Sequence, residues 1–351
     1  MKTALPFLLA AVHGWGQLQL AEAHRLRGEY AAAEREYLRL AGETGPETGT
    51  ALSGLAMLYL ETGRLGEAES VARRVLALES VRSGPRSAEA GYALGLLGSA
   101  LSRMQRHDEA QRELREAVRI AGAALGAEHP QTARLRANLA AAVIAGGRTS
   151  GAEPLLRSAE LTLRAALGEG HMEVAILRHN LGTLYLQQKR LALAESELTA
   201  ALHSWERLLG ERSPYYVQTA NLLVRTRCIA KESASASRLL ARVLPLAEDL
   251  FGPDHPETAR ARLSQATLEF ERGQIASAER WARRALESQK DRLPAIRDEF
   301  LEELTFYGAV LSRLGEPAGA KRVQRWSRHI RRTPASSELS AYIRQQCPTS
   351  L

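Results

Sequence analysis

The sequence predicts an all-α fold, a right-handed α-solenoid in which about eight antiparallel helix pairs stack into a superhelix, and a fixed period carries that prediction. Alanine recurs every 42 residues, at Ala68, Ala110, Ala152, Ala194, Ala236, Ala278 and Ala320. Leu55, Leu97, Leu139, Leu181 and Leu223 keep a second phase thirteen residues earlier; Ala56, Gly98, Ala140, Gly182, Val224, Ala266 and Gly308 keep a third, twelve residues earlier. A period of this length marks a repeat whose units bury their apolar faces against their neighbours. Such a stack grows linearly, so a chain of 351 residues needs no central core. An apolar content of 45% with only 5% aromatics suits packing by alanine and leucine.

Each repeat reads as two helices. Gly63, Gly147, Gly273 and Gly315 stand five residues before the periodic alanine, where a left-handed residue closes the first helix. Repeat four shows the pattern in full. Pro130 suits a first helical turn, because its missing N–H would be unpaired there, and His129 precedes it as N-cap. Leu135, Leu139, Val143 and Ile144 recur at helical spacing up to Gly146-Gly147; a second helix then runs from Ala152 to Gly168 through Leu155, Leu156, Ala159 and Leu163. The small residues Ala140 and Ala152 fall where the two helices cross, and a bulky side chain there would overpack the seam at roughly 1–3 kcal/mol.

The glycines that close the second helices also repeat, as Gly126, Gly168, Gly210 and Gly252, each followed three residues on by His129, His171, Ser213 or His255. Serine in the place of histidine marks a capping position, not a catalytic one. Between Ser80 and Ser87 this turn is expected to give way to an irregular loop, and again near Pro294. Repeat six carries Arg227 where Tyr59 and Tyr185 stand and opens its second helix with the polar run Ser233 to Ser237; repeat seven has Gln265 in place of the periodic leucine. These two repeats are expected to be the weakest of the stack.

The residues Leu125-Gly126-Ala127-Glu128-His129-Pro130-Gln131-Thr132-Ala133, with Asn138-Leu139-Ala140 and Gly151-Ala152-Glu153-Pro154-Leu155-Leu156, resemble the tetratricopeptide repeat in its 42-residue form, as in kinesin light chains and many bacterial repeat proteins. The pattern returns as Asn180-Leu181-Gly182 with Ala194-Glu195, and as Phe251-Gly252-Pro253-Asp254-His255-Pro256-Glu257-Thr258-Ala259. A shorter unit from Gly28-Glu29-Tyr30 to Tyr37 precedes Ala68 and fits the 34-residue form.

Net charge is +7, from 47 basic residues, 42 of them arginine, against 40 acidic ones. No recognition fold or basic-aromatic motif accompanies that bias, so nucleic acid is not the expected partner. Lys2 leads the apolar stretch Ala4 to Val12, too short to span a bilayer and suited to a signal-peptide core, with Gly14 and Gly16 placed for a cut before Gln17. The expected organisation is a signal peptide over 1–16, a solenoid over 17–332 and a tail over 333–351 carrying a short helix over Glu338 to Arg344. The expected location is the periplasm or the cell exterior, or the cytoplasm if residues 1–16 stay attached as a helix packed on the stack. No other segment reads as transmembrane, and nothing in the sequence fixes an oligomeric state.

Cys228 falls in a helix and Cys347 in the tail; they read as two thiols, with a disulfide as the alternative. No catalytic motif and no cofactor motif occur, so a non-enzymatic protein is expected. His129, His171 and His255 are in phase, but equivalent positions on helices roughly 8–10 Å apart cannot converge on a zinc ion that needs ligands at about 2 Å.

The resemblance implies a concave groove formed by the first helix of each repeat, binding an extended peptide of a partner protein. In repeats four to six that face comprises Arg134, Asn138, His179, Asn180, Asn221 and Arg225. Asn138 and Asn180 match groove asparagines that contact the peptide backbone, Asn221 stands one residue earlier in its repeat on the same face, and Arg134 and Arg225 are placed to meet acidic groups. Towards the N-terminus the same face shows Met57, Leu60 and Tyr92, suited to an apolar or aromatic side chain. The alternative is an adaptor for an anionic polymer or surface through the basic cluster Lys321, Arg322, Arg325, Arg328, His329, Arg331 and Arg332.

Overall fold

A computed structural model describes residues 16–332, apart from 26, 28, 44, 148 and 290–296. Sixteen helices and no strand are found among the described residues. They are α1 (16–25), α2 (Tyr30–Ala41), α3 (Thr48–Glu61), α4 (Leu65–Arg82), α5 (Ala88–Arg103), α6 (His107–Leu125), α7 (Pro130–Ala145) and α8 (Ala152–Leu167). Then follow α9 (Met172–Gln187), α10 (Leu191–Leu209), α11 (Pro214–Ile229), α12 (Ser233–Phe251), α13 (Pro256–Glu271), α14 (Ile275–Gln289), α15 (Arg297–Leu314) and α16 (Pro317–Arg332). The chain is an all-α solenoid of helix pairs. It divides into an N-terminal body ending at Leu184 and a C-terminal body beginning at Tyr185, the division falling within α9. Residues 1–15, with most of the expected leader, and 333–351, with Cys347 and the expected tail helix, lie outside the described residues.

Local chemistry sets the helix ends. His129 Nδ1 accepts the Gln131 N–H at 3.1 Å, and His171 and His255 cap Glu173 and Glu257 N–H at 3.2 Å. Ser213 Oγ does the same for Tyr216 at 3.2 Å, so histidine and serine are interchangeable caps here. The position five residues before each periodic alanine is left-handed in all seven repeats, whether glycine or not: φ is 76° at Gly63, 63° at Gln105, 74° at Gly147, 59° at Lys189, 64° at Lys231, 77° at Gly273 and 86° at Gly315. The repeat imposes that conformation, and three residues with side chains accept its cost.

The turn into α5 corrects the expectation of an irregular loop. Gly84 stands one period before Gly126 and shares its positive φ, 97° against 99°. Ser87 then accepts the Ala90 N–H at 3.1 Å, as Ser213 does in its own repeat. Gly-Pro-Arg-Ser therefore makes the common turn, and only the helix-opening proline is missing, replaced by Ala88. The region near Pro294 lies outside the described residues.

The periodic alanines lie near the starts of α4, α6, α8, α10, α12, α14 and α16 and are 0–4% exposed. Within the N-terminal body α3 packs on α5 and α5 on α7; within the C-terminal body α11 packs on α13. The odd-numbered helices thus form one layer of each body and the even-numbered helices the other. At the crossing of α5 and α6, a Cβ added to Gly98 would lie 2.5 Å from Leu114 Cγ and 3.2 Å from the Ala110 carbonyl oxygen, which explains a helix-interior glycine at this position.

The polar departures in repeats six and seven are matched rather than orphaned. Arg227 donates to Glu195 at 2.9 Å, where Tyr59 donates to Glu34 at 2.8 Å in repeat two. Gln265 donates to buried Glu269 at 2.8 Å, and Arg272 adds a longer bond to the same carboxylate at 3.4 Å. Two replacements on α13, one for leucine and one at the tyrosine phase, therefore satisfy each other.

Candidate functional site

Each body carries a cavity on its odd-helix layer. In the N-terminal body about 680 Å³ opens between α1, α3, α5 and α7. Met57 and Tyr92, both expected on this face, line it, and the Tyr92 hydroxyl donates to Met57 Sδ at 3.1 Å. Burial raises the Tyr92 phenol above its ordinary pKa, so it stays a donor at neutral pH. Two glycines of α3 shape the wall: a Cβ at Gly49 would overlap the Glu79 carboxylate, and one at Gly54 would overlap the Tyr37 ring. Tyr37 donates to Glu22 at 2.8 Å, and Glu22 is held below the usual carboxylate range by its hydrogen bond from Arg25. Glu89, at the rim, has no hydrogen bond or ion pair among the described residues.

In the C-terminal body about 520 Å³ lies between α11, α13 and α15. Leu222, Leu263 and Phe306 give it an apolar floor, with Ile229 47% exposed beside them. Arg225 on α11 reaches past α13 to donate to Glu302 on α15 at 2.9 Å. Asn221 and Arg225, both expected binding residues, are thus brought to one cavity.

The remaining expected residues are placed as follows. Arg134 is exposed on α7 and forks onto Glu173 of α9 at 2.6 and 2.9 Å, which raises its pKa further above its ordinary value. Asn138 is exposed and donates weakly to Ser99 of α5 at 3.4 Å. Asn180 is half-buried on α9 without a hydrogen-bond partner among the described residues. His179 is held neutral, its pKa pushed down to about 4 by burial, so it offers no positive charge at neutral pH. Asn221 is 3% exposed, and its amide donates to the Glu257 carbonyl at 3.0 Å and to Glu257 Oε2 at 2.9 Å. It ties α11 to α13 before any ligand arrives. The odd-helix face is therefore laced from repeat to repeat, and neither Arg134 nor Arg225 is a free cation.

Residues missed from the sequence include Glu302 and Phe306, which belong to a repeat two units away from Arg225, and Gly49 and Gly54, whose role depends on which side chain of α2 or α4 faces them. The buried, free thiol of Cys228 also lines the C-terminal cavity, its pKa pushed up to about 11 by burial. No helix among the described residues is long and apolar enough to cross a membrane.

Stacked helix pairs with open cavities on one layer and no strand-borne site define a repeat scaffold. The chain belongs to the tetratricopeptide-repeat family: models of that repeat match residues 18–88, 89–160, 173–249 and 226–291, one of them across more than half of the chain. No curated protein matches the sequence significantly. Among solved structures it is similar to the apo form of the quorum sensor NprR from B. thuringiensis, 13% identical, with a TM-score of 0.63 over 91% of this chain and 87% of that one. A Rap protein complexed with Competence and Sporulation Factor is 13% identical, with a TM-score of 0.56 over 83% and 76%. BtubC (BKLC) from P. vanneervenii is 24% identical, with a TM-score of 0.53 over 65% of this chain and 92% of that one. At these identities the likeness is one of fold.

Proposed function

We propose that this protein is a non-enzymatic interaction scaffold that binds an extended peptide segment of another protein on its odd-helix face. One observation carries the reading: each cavity is lined from at least three successive odd helices, so a ligand in it is touched at intervals of one repeat, as an extended chain would be. A protein of similar fold complexed with Competence and Sporulation Factor supports the use of such a stack for binding. In this reading Asn138 and Asn180 of the N-terminal body contact a peptide backbone beside Arg134 and His179, and in the C-terminal body Asn221 and Arg225 hold a peptide at the cavity they line. With a leader over 1–16, the site faces the periplasm or the cell exterior.

Peptides selected from a random display library on the full-length protein test it. Replacing Asn138 and Asn180 together by alanine should weaken the selected peptides by about 1–3 kcal/mol and leave the melting temperature unchanged. The control is Arg112→Ala with Arg238→Ala, exposed positions on α6 and α12. Equal weakening in the control, or a lowered melting temperature in place of lost affinity, refutes the assignment.

A second surface is favoured by a separate observation. Lys321, Arg325, Arg328 and Arg332 recur along α16 at spacings that place them in one stripe; all four are exposed, and none has a partner among the described residues. The helix itself contains no acidic residue. Like charges at this spacing repel one another, and an anionic polymer or surface would relieve that repulsion. Retention on heparin that survives Arg325→Gln with Arg328→Gln would exclude this stripe.

A further inference from the structure

The cavity of the C-terminal body is unusual in what it leaves unsatisfied. Each cation on its wall is already matched by a carboxylate: Arg225 by Glu302 at 2.9 Å, Lys231 by Glu271 at 2.7 Å and Arg260 by Glu257, while Glu303 Oε2 accepts from the neutral Gln289 amide at 2.8 Å. Glu271 takes a further bond from Ser233 at 2.6 Å. An anionic ligand would have to take a cation from one of these pairs and leave its carboxylate alone, whereas an apolar group entering beneath Arg225–Glu302 leaves the other three intact. What remains open is the apolar surface of Leu222, Leu263, Phe306 and Ile229, together with two buried acceptor atoms that receive no hydrogen bond among the described residues, Asn221 Oδ1 and Glu303 Oε1.

Of the two, Asn221 Oδ1 belongs to a neutral amide. Its orientation is fixed by chemistry: the amide nitrogen faces the Glu257 carbonyl and carboxylate, both acceptors, so a flipped amide would set oxygen against oxygen. The orphaned atom is therefore the acceptor, and the group that satisfies it must be a donor. A peptide supplies both missing elements, an apolar side chain and a backbone N–H beside it.

We propose that the cavity between α11, α13 and α15 is an anchor pocket for one large apolar side chain, leucine or phenylalanine, of an extended partner peptide, entered beneath the Arg225–Glu302 pair. The volume of about 520 Å³ falls in the range of small-ligand pockets. Arg225 and Glu302 are 48% and 72% exposed, and a pair so open to water adds little stability, so it parts readily. The peptide N–H preceding the anchor donates to Asn221. The pocket deepens the peptide-binding reading and rests on it.

Cys228 provides the probe, since its buried thiol lines the cavity. In a full-length Cys347→Ser protein, the rate at which an aromatic disulfide reagent labels Cys228 is measured with and without capped pentapeptides whose central residue is leucine, phenylalanine, serine or aspartate, set in alanine and serine. Leucine and phenylalanine peptides should slow labelling at least fivefold, while serine and aspartate peptides leave it within twofold. Glu302→Gln should speed labelling of the unliganded protein at least threefold. Thr267→Phe, or the milder Ser264→Leu, fills the cavity and should abolish binding of a fluorescent leucine peptide while unfolding stays cooperative. Equal protection by all four peptides, an unchanged rate in Glu302→Gln, or leucine peptides that still bind both filled variants would overturn the anchor pocket. Four peptides binding alike would leave the scaffold reading standing; no peptide binding at all would remove both.

Discussion

Each body's cavity sits on its own odd-helix layer, yet the two are made by opposite means. The N-terminal one exists because side chains are missing: Gly49 and Gly54 let the Glu79 carboxylate and the Tyr37 ring lie against α3. The C-terminal one exists where side chains are present but short, at Ser264, Thr267 and Cys228, between larger apolar neighbours. The first leaves a carboxylate unmatched at its rim, Glu89; the second pairs each of its cations with a carboxylate and leaves apolar surface. A repeat constrains its own backbone through caps and left-handed turns, which frees the layer facing away from the seam to differ from unit to unit.

The sharpest way to break the comparison is to add the same methyl group to the same repeat position in each body. Gly98 and Gly308 share a phase, twelve residues before a periodic alanine. At Gly98 the new Cβ lies 2.5 Å from Leu114 Cγ, whereas at Gly308 the nearest atom is Val323 Cγ1 at 3.7 Å, an ordinary contact. Gly98→Ala should destabilise by about 1–3 kcal/mol through overpacking. Gly308→Ala should stabilise by about 0.5–1 kcal/mol, because alanine loses less chain entropy in a helix interior. Denaturant melts of the two variants decide the point; equal effects would show that the seams are alike.

A second test concerns the matched polar pair on α13. Gln265→Leu restores the periodic residue but takes a donor from Glu269, which is 7% exposed, and should cost about 1–3 kcal/mol. Adding Glu269→Leu removes the buried carboxylate as well and should recover that loss or exceed it. If the single substitution alone stabilises, the pair is not coupled, and the double-mutant cycle will read zero interaction.

How much of this was legible in the sequence follows from what each feature depends on. The helix pairs, the caps at His129 and Ser213, and the close approach at Ala140 and Ala152 depend on local backbone chemistry, and the period exposes them. Gly84 was equally legible by phase, yet the absent proline at Ala88 disguised an ordinary turn as an irregular one. The binding face was readable only as a set of positions. Asn221 looks solvent-facing by position, but Glu257, 36 residues on, captures it, and Arg225 meets Glu302 at a separation of 77 residues. Those pairings depend on how successive repeats rotate, which residue types in register do not encode.

A smaller effect is expected at the left-handed position that closes each first helix. Gln105 in the N-terminal body and Lys189 in the C-terminal body adopt φ of 63° and 59° where other repeats use glycine. Gln105→Gly and Lys189→Gly should each stabilise by roughly 0.5–1 kcal/mol, the gain from removing a strained Cβ less the added freedom of the unfolded chain. Because the strain belongs to the repeat and not to either body, the two gains should agree; a gain in one alone would show that the turn is relaxed by its surroundings in the other.

Acid separates the bodies by the smallest margin. In the N-terminal body Glu22 is held below the ordinary carboxylate pKa by its hydrogen bond from Arg25, and Glu69 by bonds from Arg73 and Arg106. In the C-terminal body Glu271 is pushed up by burial, and bonds from Lys231 and Ser233 outweigh that and bring it below the ordinary value. A carboxyl depressed in the folded state contributes stability that is complete above its unfolded pKa, near 4.5, and is lost as pH falls through the lower folded value. Protection of backbone amides from hydrogen exchange should therefore fall in α1 to α6 before α11 to α14 as pH drops below about 4.5. These groups are partly open to water, so about 1 M salt should narrow the gap. Simultaneous loss of protection in both bodies at low salt would mean that the arginine pairs around Glu22 and Glu69 add nothing beyond what the Lys231–Glu271 pair supplies.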